Sequence, residues 1–471
     1  MQATSPEIDW DRASTECVQF LQALIQIPSV NPPGVADGAA GRDSTGGETA
    51  AAAYCAEVLG SEGIIAQVLE PVPGRGSCFA RLPATVADPE APLVLLSHID
   101  VVPVDLESWS HDPFGGELID SVIWGRGAVD MKDMVAMELS VMLALARSGG
   151  ERRREVILAA VADEEAGGTF GALHWVQTRP ELFADALGRP AAAALNEVGG
   201  YSMTVGGRRV YTIQVAEKGI AWTRMTSTGT TGHGSMPHPD NAAIKLAEAV
   251  TRLAATTQPM RITPVVDGFL VALGLGAVAD RVRAGDDAGA LDAMDAVVDD
   301  PVLRRSLAAM LRDTVTPNMI HAGKKMNVIP GSGEAEIDVR TLPGTDQEAL
   351  LAQMQATVGE LARVEPVLLM PPTEAPADAP IVDLMRRALL DADPEALAAP
   401  MMITPGTDAK ALALLGIPTY GFAPLQLSAE MPFLSLFHGH DERIPVSAIR
   451  FGLPVLHEVV SRFVGVGETG T

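Results

Sequence analysis

The residues of this chain best suited to chemistry are histidines and carboxylates that close short apolar runs. In LVLLSHIDVVP, Leu93 to Pro103, the apolar stretch ends in Ser97, His98, Ile99 and Asp100. Leu93 to Leu96 is too short for a helix and fits a strand buried on both faces. Strand side chains alternate, so His98 and Asp100 project to the same side. Together they offer a metal ligand and an acid/base group. Asp130 follows Gly125 and Gly127 in WGRGAVDMKD. Asp163, Glu164 and Glu165 close VILAAVA ahead of Gly167 and Gly168, and Glu197 closes AAAALNE ahead of Gly199 and Gly200.

Each signal has a plain structural reading when taken singly. His-x-Asp is a polar strand end before a turn at Pro103, Asp130 is a helix N-cap, and Glu164–Glu165 is a solvated loop. Carboxylates held together at several strand ends, however, would repel and lose hydration unless a cation neutralised them. One histidine with four or five carboxylates is the expected ligand type for metal, most simply a dinuclear centre. A zinc pair needs a second nitrogen ligand. His438 in LFHGHDERIP offers one, His440, His111 and His233 compete, and spacing does not choose among them. Trp124 to Gly127 lacks both the P-loop Lys-Ser/Thr and the GxGxxG pattern, so phosphate binding is set aside.

Alternating strands and helices must position these groups. A helical pattern over Asp9 to Ile27 stops at Pro28, NPPG at Asn31 to Gly34 is a turn, Asp37 to Gly47 is a surface loop, and a helix resumes over Thr49 to Leu59. Strands Leu93 to Leu96, Val156 to Ala162 and Ala191 to Leu195 alternate with helices from Lys132 to Arg147 and near Phe170 to Gln177. That rhythm predicts a parallel, doubly wound sheet with its ligands beyond the carboxyl ends of the strands. After Gly200 the order changes. Strands at Val210 to Val215 and Ala221 to Ser227, a helix at Asn241 to Ala254, strands at Met326 to Ile329 and Glu334 to Arg340, a helix at Asp346 to Leu361 and a strand at Val364 to Leu369 predict a split βαβ, ferredoxin-like unit. Gln258 to Thr314 is an added, mostly helical elaboration. Past the proline-rich Pro371 to Pro380, the α/β rhythm returns at Ile381 to Leu390, Thr419 to Phe422 and Val446 to Val464. The expected domains are therefore 1–208 and 375–471 as one discontinuous α/β domain, and 209–374 inserted within it.

At 471 residues the chain is too long for one ordinary core. A hydrophobic content of 47% with 20% charged residues describes a globular protein. The net charge of −26 argues against nucleic acid and anionic membrane as partners. Cys17, Cys55 and Cys78 form no Cys-x-x-Cys spacing, which argues against a disulfide framework or thiolate zinc site and suits a reducing cytoplasm. The first residues lack a signal-peptide pattern. No run of about 18 uncharged apolar residues is present to span a membrane.

The set SHIDVVP, WGRGAVDMKD, DEEAGG, NEVGG, EKG, PGTDA and HGHDERI resembles the aminoacylase, glutamate carboxypeptidase and succinyl-diaminopimelate desuccinylase family of co-catalytic dizinc hydrolases, peptidase family M20. The matches follow the family's order over nearly the whole chain. The resemblance implies a zinc-exopeptidase-like α/β sheet with an inserted lid that commonly also dimerises, so a homodimer partner is expected. It implies two zinc ions per subunit, with cobalt or manganese as substitutes. Asp130 would bridge them, His98 and Glu197 would complete one ion, and Glu165 and His438 the other. His438 is preferred because the family's ligand precedes its Asn/Asp-Glu pair by three residues, as His438 precedes Asp441–Glu442. Glu164 matches the general base, and Asp100 the carboxylate that orients His98. In the lid, His233 matches the histidine that polarises the scissile carbonyl, commonly from the partner subunit. Asn327 and Arg340 match positions that hold the substrate carboxylate, and Gly406 and Thr407 match a loop near the substrate, with Asp408 structural.

The implied reaction is hydrolysis of a peptide or N-acyl amide bond by metal-bound hydroxide, releasing a carboxylate-bearing amine. Deacylation of an N-acyl amino acid, or desuccinylation, is the alternative, and a catalytically silent scaffold the remote one. The sequence departs from the family at Gln258 to Thr314, longer than many lids, and at Asp133, where many relatives carry a small residue.

Overall fold

The structure, a computed structural model, describes residues 8–31 and 47–465. The expected loop at 37–46 and most of the NPPG turn lie outside the described residues. The chain divides into one unit of Met1–Val215, Ala375–Met401 and Thr407–Thr471, and a second of Ala216–Glu374 with Met402–Gly406.

The first unit is built on a mixed sheet. Its centre is parallel, in the order Arg154–Val161, Glu90–His98, Ala193–Asn196 and Thr419–Gly421. Ser77–Leu82 and then Ala66–Leu69 continue it antiparallel at one margin, and Arg208–Glu217 pairs antiparallel at the other. The near-continuous apolar runs of the central strands follow from burial on both faces. Val94 and Leu96 pack with Ile157, Ala159 and Val161 against Trp175, Phe183 and Leu412. On the opposite face, the Ser97 hydroxyl meets Glu138 of the Lys132–Ser148 helix at 2.6 Å.

That helix packs with Trp10–Ile25 and Val446–Val464. Trp10–Ile25 starts where Asp9 accepts from the Arg12 amide at 3.0 Å, and it buries Cys17, Leu21, Leu24 and Ile25 at helical spacing. Its last carbonyls are met by Lys132, whose buried ammonium donates to Leu24 and Ile27, each at 2.9 Å. The helix that follows Asp130 is thereby tied to the N-terminal one.

The second unit has four antiparallel strands ordered Thr314–Ala322, Ser332–Thr341, Gly219–Thr228 and Arg363–Met370. Ala242–Ala254 and Gln347–Val358 cover one face through Leu246, Leu253, Leu350 and Met354. This is the split βαβ arrangement, with three corrections to its parts. Thr314–Ala322 is a strand that the sequence pattern does not announce, beginning at the last residue of the expected helical elaboration. Pro317 interrupts its alternation, and a register shift follows it. Of Met326 to Ile329 only Val328–Ile329 is a strand, and it pairs with Gly232–His233 outside the main sheet. Val210 to Val215 lies within Arg208–Glu217 of the large sheet. The elaboration itself holds helices Pro264–Ala272, Gly276–Arg283, Asp287–Asp295 and Pro301–Ala309. Among the described residues, no helix is long and apolar enough to cross a membrane.

Candidate metal centre

Sheet register brings the chemical groups together. His98 lies opposite Val161, and Leu95 lies opposite both Leu158 and Leu195. Asp163 to Glu165 and Glu197 therefore leave neighbouring strands at about the height of His98. A short helical turn, Glu164–Ala166, begins where Asp163 adopts a left-handed φ of 70°. Asp130 arrives from the WGRG turn. There Gly127 has φ 88°, and a Cβ would sit 2.9 Å from the Lys132 side chain, so glycine serves both needs. Gly199 meets a similar limit, since a Cβ there would lie 1.9 Å from the Gly421 carbonyl.

His98 Nε2 lies 3.2 Å from Asp130 Oδ1 and 3.7 Å from Glu197 Oε2. His438 Nε2 lies 3.3 Å from Asp130 Oδ2 and 3.0 Å from Glu165 Oε2. Asp130 thus stands between the two imidazoles, one carboxylate oxygen toward each. Donor atoms of His98, Glu164 and Glu197 lie within 4.8 Å of one another, as do those of His98, Asp130 and Glu165. His111 packs against Trp124 with the rings tilted by 45° and faces Glu117 instead.

Behind His98, Nδ1 is 3.0 Å from the Asp100 carbonyl and 3.4 Å from its carboxylate. A carbonyl only accepts, so Nδ1 carries the proton and Nε2 faces the carboxylates. The Asp100 carboxylate also accepts from the amides of Glu164 and Glu165, both at 3.2 Å, and from Asn31 at 2.8 Å. One buried side chain therefore braces the histidine and the Glu164–Glu165 turn together.

The electrostatics describe a cluster that demands cations. Burial pushes the Glu164 carboxyl well above its ordinary pKa, and the Glu197 charge adds to this. Burial and the Asp130 charge push Glu165 up to about 7. Burial would raise Asp130 too, yet hydrogen bonds from His438 and His98 outweigh it and leave its pKa lowered. Hydrogen bonds to Asp130 and Glu165 raise His438 to about 10. Burial opposes charge on His98, but Glu197, Asp100 and Asp130 hold its pKa well above normal. Protons on the imidazoles supply the positive charge here, and a divalent ion would take the same lone pairs. Glu165 Oε1 is buried with no hydrogen-bond partner among the described residues. Two imidazoles facing carboxylates, with an orphaned oxygen among them, fit a bound divalent metal.

Several residues around the site carry little or no sequence signal for the contacts they make. Glu442, fully buried, accepts from the amides of Gly127, Val129 and Asp130 at 3.0, 2.7 and 3.0 Å, and from Arg126 at 2.7 Å. It fastens the Asp130 turn to the segment that carries His438. Its only trace in the sequence is the Asp-Glu pair used to choose that histidine. Arg75, also fully buried, joins Asp163 and Glu48, the latter at 3.1 Å, and reaches Asn31 at 3.2 Å. Asp408 is buried with Oδ2 unpartnered among the described residues.

Thr407 Oγ1 accepts from Asn196 at 2.9 Å and from the Ala409 amide at 3.1 Å, beside the strand end that carries Glu197. Gly406 falls with the second unit. So do His233, Asn327 and Arg340. His233 pairs its Nδ1 with Ser235 at 2.7 Å, and the Asn327 carbonyl accepts from Gly234 at 2.9 Å, so those two share one local turn. Arg340 is ion-paired to Asp338 at 2.7 Å, its guanidinium 6.0 Å from the Trp222 ring.

A parallel sheet with imidazoles and carboxylates collected beyond its strand ends defines a metal-dependent hydrolase. The chain belongs to peptidase family M20/M25/M40, whose pattern matches residues 94–462, as the motifs implied. It hydrolyses amide bonds. It is 29% identical to pig (Sus scrofa) aminoacylase-1 over 434 residues, covering 88% of this chain and 90% of that one. A probable carboxypeptidase S-like 2 of Dictyostelium discoideum is 25% identical over 75% of this chain and 68% of its own length. The fold is shared with a metallo-carboxypeptidase of Sulfolobus solfataricus, at TM-score 0.67 and 16% identity over 94% of this chain and 98% of that one. Human carnosine dipeptidase 1 shares it at TM-score 0.64 and 15% identity, over 97% and 98%.

Proposed function

We propose that the chain is a dizinc hydrolase of a dipeptide or N-acyl amino acid whose amine product carries a free carboxylate. The observation that carries this reading is Asp130, set between His98 and His438 with Glu165 and Glu197 alongside. Asp130, His98, Glu197, Glu165 and His438 would hold the two ions, His98 and Glu197 serving one, Glu165 and His438 the other, and Asp130 both. When bound, the metal pair acidifies water and polarises the scissile carbonyl. Glu164 takes the proton of the attacking water and hands it to the leaving nitrogen. Asp100 keeps His98 in the tautomer whose Nε2 faces the centre. His233 steadies the developing oxyanion, while Asn327 and Arg340, with Gly406 and Thr407, hold the substrate. The segment 209–374 serves as lid and dimer contact on the discontinuous domain 1–208 and 375–471, in the cytoplasm.

Similarity to aminoacylase-1 favours a second reading, deacylation of N-acyl amino acids, with the same centre. Metal analysis and a panel of dipeptides and N-acyl amino acids test both. About two zinc ions per chain are expected, with Glu164→Ala slowed at least ~100-fold. Full activity in that variant would overturn the base assignment, and indifference to chelators would overturn the metal reading.

A further inference from the structure

The first unit has a small, mostly apolar pocket whose wall includes two carboxylate residues, Glu197 of the candidate centre and Asp133. Met131, Met134, Tyr201, Phe433 and Phe437 line it together with Asp133. The three aromatic rings are contiguous, with centroids 4.9 Å apart for Tyr201–Phe433 and 5.2 Å for Phe433–Phe437. Asp133 is 2% exposed, and its Oδ1 has no hydrogen-bond partner among the described residues. The amides of its own helix N-terminus lie near the carboxyl, and they leave that oxygen unmet.

A buried carboxyl oxygen without a donor is unfavourable unless the group is protonated or meets a cation. The space open to the centre of a water-sized group is about 10 Å³, roughly enough for one such group. It admits –NH3+ but not a guanidinium. Water would meet Oδ1 equally well, yet it gains little from aromatic faces and thioethers, whereas a cation is drawn to the rings. Burial, with the charges of Glu442 and Asp130 adding to it, pushes the Asp133 carboxyl well above its ordinary range, so a cation set against it would relieve a charge that nothing else there offsets.

We infer that this pocket is a subsite for a primary ammonium group of the substrate, with Asp133 as its counter-charge; the inference rests on the amide-hydrolase reading above. It favours substrates that keep a free amine over plain N-acyl amino acids. Asp133, the position at which the chain departs from small residues, becomes a specificity determinant.

The test compares substrate pairs that differ only in the amine, using the full-length, zinc-loaded enzyme. One pair is alanyl-leucine and propionyl-leucine, and the other is Nα-acetyl-lysine and Nα-acetyl-norleucine. The wild type is expected to favour the amine-bearing member of at least one pair by tenfold or more in kcat/KM. That ratio should fall to within twofold in Asp133→Asn, and in Asp133→Ser should the first variant not fold. The responding pair reports where the amine sits. A wild type that favours the neutral member in both pairs, or a ratio unchanged by the substitutions, overturns the subsite and leaves the hydrolase reading standing. Absence of hydrolysis of all four compounds overturns the hydrolase reading, and the subsite with it.

Discussion

Replacing Glu442 by glutamine tests whether the centre is assembled by the side chain that ties its two halves. Both carboxylate oxygens are occupied: one accepts from the amides of Val129 and Asp130, the other from Gly127 and Arg126. Either orientation of the glutamine amide turns an NH2 group toward two donors. Hydrogen bonds to a charged acceptor are worth about 1.5–3 kcal/mol each, so two lost bonds remove about 3–6 kcal/mol. Arg126, 2% exposed, also loses its buried counter-ion. Part of that loss is expected as global destabilisation and part as a loosened Asp130 turn. Supporting groups behind metal ligands typically contribute about 10- to 100-fold in affinity. Chelator-competition titration with zinc should therefore show affinity weakened in that range, and urea unfolding of the metal-free protein should show reduced stability. Zinc affinity within twofold of wild type, together with a stability loss below ~1 kcal/mol, would refute the clamp.

Arg75→Met should destabilise the fold by about 3–5 kcal/mol, because it strands the buried carboxylates of Glu48 and Asp163. Urea unfolding checks this, and a loss under about 1 kcal/mol would show that the ion cluster is not needed. Lys218 donates to the carbonyls of Ala309 and Arg312, and burial pushes its pKa down to about 7. Between that value and the ordinary lysine value the unfolded chain holds a proton that the folded chain has released, so stability rises with pH across this window. In Lys218→Met the rise between about pH 7 and about pH 10 should be smaller, as measured by denaturant unfolding at both ends. An identical slope in the variant would refute the assignment.

Much of the site was legible because strand ends are local features. Apolar runs that stop at His98, Asp163 to Glu165 and Glu197 announce a buried parallel strand and the polar group just past it. Doubly wound sheets collect such ends at one edge. Thr314–Ala322 was missed because Pro317 and weak alternation leave little period-two signal, and its place is fixed by pairing with Ser332–Thr341. Arg75 and Glu442 were missed for a different reason. A buried ion pair joins residues distant in sequence, here Arg126 with Glu442 and Arg75 with Glu48 and Asp163. Nothing in either segment alone distinguishes such a side chain from a solvated one.

By itself the sequence determined most element types, the broad order of the α/β and split βαβ segments, and the set of side chains able to bind metal. Those depend on hydrophobic period and residue chemistry, both local in the chain. Only the tertiary structure decided which oxygen of Asp130 faces which imidazole. It likewise decided that the Asp100 carbonyl, more closely than its carboxylate, meets His98, and that Asp133 Oδ1 is left without a donor. These are matters of distance and desolvation between segments, set by sheet register and by the buried clamps of Glu442 and Arg75.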